Sequence, residues 1–334
     1  MYAVYYIILI FSTLLFSLAA VGVAHFLFSR LELFDNPNER SNHKSPVPTG
    51  AGIAFILMGL GFMMVAGASA NLLFAATLLA VVSFIDDVRT LPVARRLGVQ
   101  LMAVIIAITD LHGAVFQGLF PMWLDRTLVL LAWMWFINLY NFMDGIDGIT
   151  ISETAGIGIG IGFLGLFIDE VPRALAIDAL IMVAAVIGFY PWNRHPAKLF
   201  MGDSGSVPLG FVMAFLLFSL ATHGQWAAAL ILPAYYLCDA TFTLAKRMAA
   251  GKKIWQAHSE HAYQRAVRSG RPHDQVVYYI QMLNVLLIVL SVASTHGKHE
   301  ALIALAAAYA ASFFIMVRFR NLPPVSRREA AYTA

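Results

Sequence analysis

Apolar runs long enough to cross a lipid bilayer recur from one end of this chain to the other, and no polar linker separates them into domains. Inside hydrocarbon a backbone must satisfy its own N–H and C=O groups, which restricts such a chain to helices of about 20 mostly apolar residues. Eleven segments qualify, over residues 3–28, 51–68, 70–85, 97–112, 127–143, 151–168, 174–190, 207–222, 226–245, 276–294 and 300–317. The chain is therefore predicted to be an all-α, polytopic integral membrane protein forming one transmembrane domain over residues 1–334. Only 12% of the residues are charged, against roughly 25% in ordinary soluble domains, so a water-soluble fold is excluded. The first run carries no Lys or Arg and is too long for a cleavable signal. Cys238 is the single cysteine, which rules out a disulfide framework.

Lys and Arg in short loops are retained on the cytoplasmic side. With the N-terminus outside, 19 of the 22 basic residues fall in inner loops and a cytoplasmic tail, leaving Arg126, Arg173 and Lys298 outside. Removing any one span destroys this separation. A net charge of +3 without a clustered basic face predicts no nucleic-acid partner, and nothing in the sequence speaks to oligomeric state.

The unusual polar residues all lie on the same inner side, in loops 29–50, 86–96, 138–150, 191–206 and 246–275. A membrane transporter, the alternative reading, places ionisable groups near the bilayer midplane and at broken helices. Acids gathered at one boundary instead predict an enzyme that takes one substrate from the cytoplasm and the other from the lipid bilayer.

Asn138, Asn141 and Asp144 recur every third residue before Gly145-Ile-Asp147-Gly148, so they are expected on one face as a helix leaves the membrane. Such carboxylates and carboxamides can hold a metal or read the edge of a base or sugar, whereas the plainer reading is a pair of Asp-Gly turns. Asp86-Asp87 ends the third span, and adjacent carboxylates repel unless a proton or cation intervenes. A divalent cation such as Mg2+ would also bring phosphate into the site. Phe200-Met-Gly202-Asp203-Ser204-Gly205-Ser206 opens the eighth span, where free N–H groups and the positive helix end suit phosphate. Its Gly-Asp-Ser-Gly string also occurs around serine-protease nucleophiles, but nothing else here supports a secreted β-barrel protease. In the longest polar stretch, 246–274, a helical turn would put His258 and His261 on one face with Arg265 continuing it. Asp239, in the ninth span, reads either as a functional carboxylate or as one that is capped locally by Thr241 or protonated.

In order and in side of the membrane, four of these motifs resemble the polyprenyl-phosphate N-acetylhexosamine-1-phosphate transferases, glycosyltransferase family 4. They are Asp86-Asp87, residues 138–148, residues 200–206, and the turn 46–52 preceded by His43-Lys44. The likeness covers nearly the whole chain. It implies a Mg2+-dependent enzyme, with Mn2+ able to stand in, that joins the sugar phosphate of a UDP-activated N-acetylated sugar to undecaprenyl phosphate and releases UMP. By the same resemblance Asp203 is the principal metal ligand, Asp86 and Asp87 handle metal and lipid phosphate, and Lys44 meets phosphate as part of the catalytic group. Asn138, Asn141, Asp144 and Asp147 fall at nucleotide-side positions, and His258, His261 and Arg265 are expected to bind the nucleotide-sugar. Two departures stand out: Thr90 replaces a third acidic residue of the family pattern, and the late loop has two histidines where three are common. The pattern is closer to the branch that starts O-antigen and related cell-surface polysaccharides, which implies the bacterial inner membrane with the site facing the cytoplasm. A direct displacement and a covalent two-step route make the same demands on these residues.

Overall fold

The structure, a computed structural model, describes residues 2–37, 45–252 and 258–324. Its architecture is all-α. In chain order the helices are α1 (Tyr2–Arg30), α2 (Gly52–Ala66), α3 (Ala70–Val88), α4 (Val93–Ala107), α5 (Met122–Phe142), α6 (Ile149–Phe167) and α7 (Arg173–Asn193). They continue with α8 (Asp203–Thr222), α9 (Trp226–Ile231), α10 (Ala234–Ala249), α11 (Ala262–Arg268), α12 (His273–Ala293) and α13 (Lys298–Arg320). Seven of them, α1, α3, α6, α7, α8, α12 and α13, are long and apolar enough to cross a membrane.

Every apolar segment of the sequence falls largely on helix, and two of those whose bounds differ have a visible cause. The segment 226–245 is broken between α9 and α10 at Leu232-Pro233, because proline has no N–H to give and its ring crowds the preceding turn. The segment 97–112 begins earlier, at Val93, and its helix stops at Ala107 before a short 3-10 turn over Ile108–Asp110. There Asp110 accepts from Ser69 Oγ at 2.5 Å and from Asn71 Nδ2 at 3.0 Å, pinning the end of α4 to the start of α3.

α8 lies at the centre. It packs against α2, α3, α5, α6, α7 and α9 and is buried along nearly its whole length. A helix apolar on every side belongs in such a position. α1 and α13 stand at the periphery with large apolar side chains outward, among them Ile7, Phe11 and Phe314, as lipid-facing helices do. The N-terminus of the central helix therefore points into the region where the C-terminal ends of α3 and α5 meet the N-terminal end of α4. The one sheet among the described residues is a two-residue antiparallel pair, β1 (Phe34–Asp35) with β2 (Val47–Pro48), and it sets the 46–52 turn beside the same region.

Candidate active site

Gly202 turns the chain into α8 with φ 68° and ψ −176°. Only glycine adopts this conformation readily. The turn aims the first N–H groups of α8 at Asp87, whose Oδ1 accepts from Asp203 N at 2.8 Å and whose Oδ2 accepts from Ser204 N at 3.0 Å. Asp87 thus caps α8 from another helix, using a carboxylate where the helix end is positive. The turn 46–52 is laced to the same strand of chain: Phe200 N donates to Pro48 O at 2.9 Å, Gly52 N to Met201 O at 2.9 Å, and Ser204 Oγ to Gly50 O at 2.9 Å. Lys44, just before this turn, lies outside the described residues.

Asp86 faces a different partner. Its Oδ2 is 2.9 Å from Arg96 Nη1, which also reaches Asp203 Oδ2 at 3.2 Å, so one guanidinium of α4 bridges carboxylates from α3 and α8. The Asp86 Oδ1 accepts from Leu91 N at 2.5 Å. The carboxamide of Asn141 also hydrogen-bonds to Asp203, and its Oδ1 accepts from Ser206 Oγ at 2.8 Å. Asn138 Nδ2 donates to Gln100 Oε1 at 2.9 Å and to Met134 O. Asp86, Arg96, Asn138, Asn141 and Asp203 form the polar end of a cavity of about 320 Å³ whose other walls include Leu79, Val93, Leu97 and Trp135. This donor set is hard oxygen from two carboxylates and a carboxamide, which fits Mg2+ rather than a thiolate- or imidazole-preferring ion.

The expectation that Asn138, Asn141 and Asp144 share one helical face holds for the two asparagines, which line the cavity together. Helix α5 ends at Phe142, so Asp144 leaves that face and accepts from Thr150 Oγ1 at 2.6 Å. Burial pushes the Asp144 carboxyl up to about 7, with the charges of Asp203, Asp147 and Asp87 adding to the rise and the Thr150 bond opposing it.

Asp147 belongs to a second cluster. Its Oδ2 is 2.7 Å from His195 Nδ1 and 3.2 Å from His273 Nδ1, and accepts from Ala197 N at 3.1 Å, while its own N lies 3.2 Å from the same His273 nitrogen. Burial works to raise this carboxyl, but the hydrogen bond and charge of His273, then His195 and Ala197, outweigh it and hold it below the usual carboxylate range. Next to it, Gly148 N donates to Asn193 Oδ1 at 2.9 Å. Asp147 thereby ties its own loop to the segments at 195–197 and at His273 with one oxygen.

The late loop departs from the expected single face. His258 precedes any helix and His261 is the N-cap of α11, so only Arg265 of the three lies within a helix. The cause is that the chain must bring the first N–H groups of α11 to Asp239, which unwinds the residues ahead of Ala262. His261 is 1% exposed, its ring stacked on Tyr263 and beside His258. Burial, with His261 and Arg247 adding, pulls His258 down to about 4, so it is neutral at physiological pH. Arg265 lines a different cavity, with Lys246, Arg268 and Arg320. Asp239 is capped neither by Thr241 nor in isolation: Thr243 Oγ1 donates to it at 3.1 Å and Ala262 N at 2.9 Å.

Sequence reasoning missed Arg96, Gln100, His195 and His273. Arg96 carries a usable signal, a cation on the helix that follows the acidic pair, but such a cation reads equally as one of the topological charges. The histidines sit 48 and 126 residues from Asp147, and nothing local announces them.

The profile of glycosyl transferase family 4 matches residues 69–221, which contain three of the four motifs now seen to converge. A decaprenyl-phosphate N-acetylglucosaminephosphotransferase of Mycobacterium leprae is 27% identical over 322 residues, covering 83% of this chain and 80% of its own. A probable undecaprenyl-phosphate N-acetylglucosaminyl 1-phosphate transferase of Bacillus subtilis is 24% identical, with 77% and 76% covered. A phospho-N-acetylmuramoyl-pentapeptide-transferase of Streptococcus gordonii is 30% identical over 250 residues, covering 65% of this chain and 74% of the relative. By these matches the chain belongs to glycosyl transferase family 4, the polyprenyl-phosphate N-acetylhexosamine-1-phosphate transferases.

Proposed function

We propose that this protein transfers an N-acetylated sugar-1-phosphate from a UDP-sugar to undecaprenyl phosphate, releasing UMP and leaving the first lipid-linked sugar of a cell-surface polysaccharide such as O-antigen. The observation that carries the reading is a single cavity with Asp86, Asp203 and Arg96 at one end and hydrocarbon side chains along its walls. Such a space takes a phosphate at its polar end and an isoprenoid chain along the rest. The names of the mycobacterial and Bacillus relatives favour N-acetylglucosamine among the sugars.

In this reading Asp203 and Asp86, with Asp87 behind them, hold Mg2+, which when bound neutralises the diphosphate and lowers the repulsion between two anions. Arg96 bridges the two carboxylates and orients them. Lys44 adds positive charge for phosphate. Asp86 accepts a proton from a lipid phosphate that arrives as a monoanion. Asn138, Asn141, Asp144 and Asp147 present amide and carboxyl groups to the nucleotide-sugar. The apolar walls keep water from competing as nucleophile.

Purified protein, undecaprenyl phosphate, Mg2+ and a panel of UDP-N-acetylated sugars should release UMP with at least one donor, and EDTA should stop it. Silence from every donor in a folded preparation refutes the proposal. The eleven-span arrangement, outside N-terminus and inner-membrane location belong to the same reading. In a Cys238→Ala background, Thr90→Cys and Met248→Cys, both at exposed positions, should react with an impermeant thiol reagent only from the cytoplasm. Leu119→Cys, 78% exposed, should react only from outside. Any crossed labelling overturns the topology.

A further inference from the structure

Asp239 is fully buried near the middle of α10, far in sequence from every motif of the reaction centre. A carboxylate in such a place needs donors on both oxygens. It has them. Ala262 N lies 2.9 Å from each oxygen, Tyr263 N 3.4 Å from Oδ2, Tyr235 Oη donates to Oδ2 at 3.3 Å and Thr243 Oγ1 to Oδ1 at 3.1 Å. The first N–H groups of α11 are thereby satisfied by a side chain from another helix, which is what holds so short a helix in place.

What α11 does from that position is visible at its second residue. The Tyr263 hydroxyl donates to Phe142 O at 3.1 Å and hydrogen-bonds to the backbone of Gly145, stitching both sides of the turn that ends α5. The fit is close. A Cβ on Gly145 would overlap the Tyr263 hydroxyl and stand 2.7 Å from Gln264 Nε2. That turn is flanked by Asn141 and contains Asp144. The loop ahead of α11 is anchored as well, by Glu260 paired with Arg247 and with Lys252 at 3.0 Å, and by Arg320 Nη2 donating to Glu260 O at 3.3 Å.

We propose that Asp239 is a positioning residue for the sugar-phosphate transfer: it anchors α11, and α11 clamps the 142–145 turn so that Asn141 and Asp144 face the nucleotide-sugar. This rests on the functional reading above. The anchor is a carboxylate because all its near neighbours are donors; an amide in its place presents an NH2 to N–H and O–H groups.

The test uses full-length protein in detergent or nanodiscs. In Asp239→Asn, hydrogen exchange should speed up in 261–268 and, together with it, in 142–148. The kcat/KM for the UDP-sugar should fall at least about tenfold, while KM for undecaprenyl phosphate stays within about twofold. Tyr263→Phe should show the same pattern more weakly, and the double variant should be no worse than Asp239→Asn alone, because both act through one contact. Loosening of 261–268 with 142–148 unchanged, or losses that multiply in the double variant, overturns the clamp. Should Asp239→Asn not fold, Gly145→Ala supplies the case: its defect should be partly relieved by adding Tyr263→Phe, and no relief counts against the proposal. Failure of the functional reading shows separately, as wild-type protein that releases no UMP, and leaves the exchange result to decide whether the clamp exists.

Discussion

Replacing Asp203 with asparagine should leave a folded, membrane-inserted protein whose turnover is lowered at least about a hundredfold, the scale of losing one preorganised electrostatic element of an active site. Asparagine has the same shape, can begin a helix, and keeps one oxygen for Arg96. What it lacks is the charge. Arg96 Nη1 now sits 3.2 Å from Asp203 and 2.9 Å from Asp86, so after the substitution the guanidinium swings its attraction wholly to Asp86 and competes with a cation for that carboxylate. Two faults therefore arise from one change, a missing ligand charge and a tighter plug on the remaining one. Initial rates of UMP release at saturating donor, read across a Mg2+ titration, check both. Excess Mg2+ should recover only part of the rate. Turnover near wild type, in protein whose elution and circular dichroism are unchanged, would sink the assignment of Asp203.

Gly202→Ala should be as damaging although it removes no chemistry. Residue 202 sits at φ 68° and ψ −176°, a region that costs a side-chain-bearing residue on the order of 1–3 kcal/mol. A Cβ there would also lie 2.5 Å from Asp87 Oδ2 and 2.8 Å from Asp87 Cγ. Asp87 must then move off the N–H groups of Asp203 and Ser204, and the start of α8 loses its cap together with the orientation of Asp203. Activity below about one hundredth of wild type is expected, a loss on the scale seen when a key electrostatic group is displaced. Gly224→Ala is the control. Gly224 also has positive φ, 85°, but a Cβ there meets nothing within 4 Å, so it carries backbone strain without touching the site. If both variants keep similar turnover, the capping of α8 by Asp87 is not needed for the reaction.

The two substitutions also divide what was legible in the residues from what was not. Asp203 stood out beforehand, at a glycine turn before an apolar run. That Gly202 matters through Asp87 did not, because Asp87 and the Asp203 N–H it caps lie 116 residues apart. The loop 246–274 shows the same division from the other side. Its length, basic residues and histidines mark it as unusual, yet the expected shared face of His258, His261 and Arg265 gives way to an N-cap at His261, because a buried carboxylate on α10 claims the first turn of α11.

What the sequence by itself determined is the class of fold and the segments that bring acidic and amide groups together. Hydrocarbon demands that every backbone polar group be paired within its own helix, so the spans are a local property and can be read from runs of apolar residues. Only the tertiary structure decided which acid does what. Asp86 and Asp87 are neighbours on one helix, and successive residues point about 100° apart at 3.6 residues per turn. They must face different partners. That Asp86 meets Arg96 while Asp87 caps α8 follows from how α3 lies between α4 and α8, a matter of packing between helices that no local pattern encodes.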